Sequence, residues 1–126
     1  MKVLIAEADD IVADVCHMFL DDIKVENSIC NTIEGMLDAY KSNKPDVVAV
    51  CLRLPTKNEA ERRCHILGKG VRVLRAVNSD AKVLIITGGL DYKSFDNGDK
   101  NIAILEKPFS AKALAASLTR LTGEKL

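Results

Sequence analysis

Four short runs of the chain are apolar without interruption: Val3-Leu4-Ile5-Ala6, Val47-Val48-Ala49-Val50-Cys51-Leu52, Val83-Leu84-Ile85-Ile86 and Ile102-Ala103-Ile104-Leu105. Continuous rather than alternating hydrophobicity predicts strands covered on both faces, as in a parallel sheet. A fifth run, Val25-Glu26-Asn27-Ser28-Ile29-Cys30, is more polar and suits a strand at a sheet edge. Between the runs the period becomes helical. Val12, Val15, Cys16 and Phe19 form one stripe and Val71, Leu74 and Val77 another; Ala111, Leu114, Leu118 and Leu121 form a third, opened by Ser110 as N-cap. Residues Glu34 to Lys41 predict a short helix carrying Met36, Leu37 and Tyr40, closed by Ser42-Asn43-Lys44-Pro45. Between Leu90 and Asn101 the poor helix formers Asp91-Tyr92-Lys93-Ser94-Phe95-Asp96-Asn97-Gly98 predict a short or irregular element.

Alternating strands and helices with right-handed crossovers define an α/β class: a doubly wound, five-stranded parallel sheet between two helical layers. For five strands in a chain of 126 residues the flavodoxin-like order 2-1-3-4-5 is expected, in one domain spanning 1–126.

Charge narrows the function. Eighteen Lys plus Arg balance eighteen Asp plus Glu, so no basic excess exists to neutralise a nucleic-acid backbone or an anionic membrane surface. Direct nucleic-acid binding is not expected. No apolar run approaches the ~20 residues of a membrane span, and the first run is too short for a signal-peptide core, so a cytoplasmic protein is expected. Cys16, Cys30, Cys51 and Cys64 contain no Cys-x-x-Cys pair and read as reduced thiols.

Ligands of open parallel sheets bind outside the carboxyl ends of the strands, where the strand order reverses. Those ends carry Glu7-Ala8-Asp9-Asp10, Cys51-Leu52-Arg53, Thr87-Gly88-Gly89 and Glu106-Lys107-Pro108. Acids after strand one, a hydroxyl after strand four and Lys107-Pro108-Phe109 after strand five resemble the receiver domain of bacterial two-component response regulators. The resemblance spans nearly the whole chain. It implies that two acids after strand one help hold Mg²⁺, that an Asp ending strand three accepts a phosphoryl group, and that the Thr and Lys contact the phosphoryl oxygens. It also implies a cis peptide bond before Pro108 and an aromatic switch residue three positions before the Lys.

Several of those positions depart from the pattern. The acidic pair falls on Glu7 and Ala8, with Asp9 alongside, the phosphoacceptor position on Cys51, and the switch position on Ile104. A methyl group cannot ligate Mg²⁺, and a thiol is a soft ligand where a hard cation wants oxygen. Mg²⁺ binding is therefore expected to be absent or weak, with no other metal or cofactor. Making Asp9 and Asp10 the acidic pair would leave Glu7 inside the strand as a buried charge, which is costly. Asp46 cannot substitute for the acceptor, being about 16 Å from Cys51 along an extended strand. Thr87, Lys107 and Pro108 remain as remnants of the pocket, and Lys107 is expected to pair with Glu7.

Relative to the family, the connection after strand three is long, which predicts an insertion at about 56–69. Glu59 stands at helical spacing from Arg62 and Arg63, and Ala60, Cys64 and Leu67 form an apolar stripe, so an extra helical turn or two is expected after Asn58. The insertion is either a solvated extension, a cover for the pocket, or a basic surface of Lys57, Arg62 and Arg63. Tyr92 and Phe95 either cover strands four and five or belong to a partner surface. Cys16-His17 and Cys64-His65 lack the spacing of a zinc site.

The expected function is a divergent receiver that does not accept aspartyl phosphate, is not an enzyme, and acts as a protein-interaction module. Its partners would be signalling proteins such as a histidine kinase or an output domain, and the chain would be a monomer or weak homodimer. The alternative is a thiol redox sensor in which Lys107 lowers the pKa of Cys51; otherwise Cys51 is a packing residue. A flavin-phosphate site is set aside, because the acids after strand one would repel the phosphate.

Overall fold

The computed structural model describes residues 1–59, 67–89 and 91–126. Along the chain run β1 (Lys2–Ala6), α1 (Asp10–Asp22), β2 (Glu26–Cys30), α2 (Ile33–Asn43), β3 (Val47–Cys51), α3 (Lys69–Val77), β4 (Val83–Thr87), a 3₁₀ turn (Asp91–Phe95), β5 (Ile102–Glu106) and α4 (Ala111–Thr122). The five strands form one parallel sheet in the order β2-β1-β3-β4-β5, so the polar run does become an edge strand. Register aligns the carboxyl ends: Ala6 sits beside Cys30 and Val50, Cys51 beside Ile86, and Thr87 beside Glu106.

Each central strand is buried on both faces because alternate side chains enter two different cores. Val3, Ile5, Ala49 and Ile86 pack under α1 and α4, whereas Leu4, Val48, Val50 and Ile85 pack under α2 and α3. The α1 stripe is rotated from the one read in the sequence: Ala13, Cys16 and Leu20 are buried, while Val12 and Phe19 are half-buried at its flank. The Phe19 and Phe109 rings meet edge to face at 6.1 Å, so part of α1's apolar surface serves the neighbouring segment rather than the sheet. Val77, expected in the core, ends α3 and is 49% exposed.

Helix starts follow the capping chemistry. Asp9 Oδ1 accepts from the N–H groups of Ile11 and Val12, Thr32 Oγ1 from Gly35, and Ser110 Oγ from Ala113. By contrast, α3 begins at Gly68 with φ +75°, and a Cβ there would fall on the Phe95 ring, so glycine is required for both conformation and space. The segment after β4 is the short 3₁₀ turn that its composition predicts. Among the described residues no helix is long and apolar enough to cross a membrane.

Candidate functional site

The strand ends surround a cleft of about 470 Å³, lined among others by Glu7, Ala8, Asp9, Cys51, Arg53, Thr87, Gly88 and Lys107. Glu7 follows β1 directly, and its N–H donates to the Cys30 carbonyl at 3.0 Å, which turns the side chain into the cleft floor. It is only 3% exposed. Its Oε2 accepts from the Asp9 N–H at 3.2 Å, and its Oε1 lies 3.3 Å from Lys107 Nζ. The ammonium compensates the charge of Oε1 without the alignment of a hydrogen bond.

Lys107 is aimed by β5: its N–H donates to the Thr87 carbonyl at 2.8 Å, and the Lys107–Pro108 bond that follows is cis. Thr87 is buried, and its hydroxyl closes a local turn by accepting from the Gly89 N–H at 3.2 Å. Asp9 lines the cleft and gives its Oδ1 to the α1 cap. Ala8 contributes no donor atom beyond its backbone.

Cys51 is 6% exposed at the end of β3. Burial, and then the negative charge of Glu7, push its thiol up to about 12 despite backbone hydrogen bonds from Ala8 and Arg53. This corrects the expectation that Lys107 lowers it: Lys107 is neutralised by Glu7, and desolvation dominates. Cys16 and Cys30 are also pushed up by burial, to about 11 and 12.

The structure brings Glu7, Ala8, Asp9, Cys51, Thr87 and Lys107 together and sets the remaining candidates elsewhere. Ile104 is half-buried on β5 against the core under α2 and α3. The Tyr92 hydroxyl donates to Glu106 Oε1 at 2.8 Å, and that bond is the main reason its pKa rises. Phe95 packs over Gly68 with the Arg72 guanidinium 5.4 Å from its ring centre. Both aromatic side chains are thus engaged within the chain. Arg62 and Arg63, with Ala60, Cys64 and His65 and most of the expected extra helical turn, lie outside the described residues. Of that segment's flanks, the Lys57 N–H donates to Glu34, and Glu59 receives Lys69 Nζ at 3.0 Å. Cys16 points into the core while His17 stays at the surface against Asn27 and Asp21.

The sequence reading placed Arg53 at a strand end but gave it no role, and it did not bring Leu67 to the cleft. Arg53 stands two positions beyond the end of β3, which was signal enough; Leu67 read only as part of an insertion stripe.

No protein-family model matches the chain, and neither does any curated protein. Solved structures do. A Chloroflexus aurantiacus structure described as a response regulator is 22% identical with a TM-score of 0.78, covering 98% of each chain. The Vibrio cholerae chemotaxis protein CheY4 is 18% identical with a TM-score of 0.77, over 95% of this chain and 97% of its own. The receiver domain of the Pseudomonas aeruginosa sensor histidine kinase PA1611, solved with magnesium in its active-site cleft, is 17% identical with a TM-score of 0.78 over 98% of both. At these identities the likeness establishes the fold: this chain has the flavodoxin-like receiver fold.

Proposed function

We propose that the chain is a signal-transduction receiver domain of a two-component response regulator, one that does not take up aspartyl phosphate. On this reading it is not an enzyme and works in the cytoplasm by binding signalling proteins, a histidine kinase or an output domain among them. The observation that carries the reading is Ala8 and Cys51 at the two strand ends where the fold's chemistry needs carboxylates.

Phosphoryl transfer is chiefly positioning and charge neutralisation, and the metal supplies much of the latter. The oxygen donors do not fit Mg²⁺. Glu7 offers one carboxylate, held between Lys107 and the Asp9 N–H, and Asp9 gives its Oδ1 to two helix N–H groups. Among the described residues no group of three or more His, Cys, Asp or Glu side chains is placed to hold a metal. A protonated, buried thiol at Cys51 is a poor nucleophile, which speaks equally against the redox-sensor alternative.

Incubation with Mg²⁺ and a small phosphodonor, read by intact mass, tests the reading. The expected spectrum shows unmodified protein. A stoichiometric phosphoryl adduct would contradict it.

A further inference from the structure

The two helices that cover one face of the sheet carry the same surface pattern with opposite charge. On α1, Asp14, Met18 and Asp22 stand at positions i, i+4 and i+8; on α4, Lys112, Ala116 and Arg120 do the same. All six are exposed. The outer charges on each helix are about 12 Å apart along the axis, so the two patterns match in length.

The segregation extends along both helices. Besides the pair in the pattern, α1 holds Asp10 and Asp21 and has no Lys or Arg, whereas α4 has no Asp or Glu. Asp21 is already held by His17 and Asn27. Among the described residues none of Asp14, Asp22, Lys112 or Arg120 is in an ion pair. Apolar area accompanies the charge: Ile11 is 75% exposed and Met18 55%. A helix face turned to water does not call for either side chain.

We propose that the α1–α4 face docks a second copy of this chain, in a two-fold dimer where α1 of each copy lies against α4 of the other. A two-fold interface must be self-complementary, and this face holds both halves of its own complement. Aspartates of one α1 meet Lys112 and Arg120 of the other α4, and the small Ala116 leaves room for Met18. The formal net charge of zero removes long-range repulsion between copies. Two helices side by side offer a patch of about 20 Å by 20 Å per copy, roughly 800 Å² in total, which is below the ~1,200 Å² of stable interfaces and makes the dimer weak. The proposal is independent of whether the cleft accepts phosphate.

Sedimentation velocity over a wide concentration range tests it. The expected result is a monomer–dimer equilibrium at least about tenfold weaker in high salt than in low salt, since rim charge pairs are screened. Asp14→Lys with Asp22→Lys abolishes the dimer, as does Lys112→Glu with Arg120→Glu. The chain carrying all four regains it, with circular dichroism confirming that each variant is folded. A wild-type chain monomeric throughout, a dimer unchanged by either reversal, open-ended assemblies, or a folded fourfold variant that stays monomeric would each overturn the proposal.

Discussion

Glu7 is a buried carboxylate paired with Lys107 at 3.3 Å in the cleft floor, so each side chain raises the cost of losing the other. Lys107→Met is expected to destabilise the fold by about 2–4 kcal/mol in urea titration, towards the low end because the Lys107 side chain keeps about a third of its exposure. Adding Glu7→Gln to that variant should recover most of the loss; a Lys107→Met chain as stable as wild type would contradict the pairing. The three thiols give a pH dependence with a definite sign. Unfolded, they release protons near 9.0, but folded Cys16, Cys30 and Cys51 hold theirs to about 11, 12 and 12. Their contribution is therefore complete below pH 9 and declines as pH rises towards the folded values. The urea midpoint should fall above pH 9, and less steeply in a chain with these three cysteines replaced by alanine; equal slopes would remove the thiols from the account. The pairing of Glu7 with Lys107 was legible in the sequence because an acid after β1 and a lysine after β5 meet in this topology. The thiol shift was not, because it depends on how deeply Cys51 sits and on Lys107 being already neutralised.

At the scale of elements, the central strands and the Ser110 cap were legible from local chemistry alone, since uninterrupted apolar runs and a Ser before a helical stripe need no tertiary context; the Asp9 and Thr32 caps were not read. The face a helix buries was less so: the half-buried Val12 and Phe19 on α1 answer a neighbouring segment that periodicity cannot announce. The contact of Phe95 with Gly68 was also hidden, because it joins the start of α3 to the 3₁₀ turn across 27 positions of chain, from 68 to 95. Gly68→Ala meets both an unfavourable φ and the ring, and should cost about 1–3 kcal/mol. In a Phe95→Ala background the same substitution should cost less, leaving only the backbone penalty. Equal costs in the two backgrounds, measured as a double-mutant cycle, would mean that the ring does not hold α3 in place.

For the whole molecule, the two cores lie above and below the sheet and the cleft sits at its carboxyl end, where Cys51, Leu52 and Ile86 belong both to the cleft wall and to the cores. Thr87, Lys107 and the cis bond before Pro108 stand at the strand ends with Ala8 and Cys51 beside them. The central claim is that the cleft lacks the oxygens to seat a divalent cation opposite an acceptor. It is tested most directly by following backbone amide NMR signals of the cleft during titration with Mg²⁺ and beryllofluoride. The account predicts no saturable shift at Thr87 or Lys107 in the natural chain, and saturable shifts at both once Ala8→Asp and Cys51→Asp are introduced together. Saturable shifts at those two residues in the natural chain would contradict it.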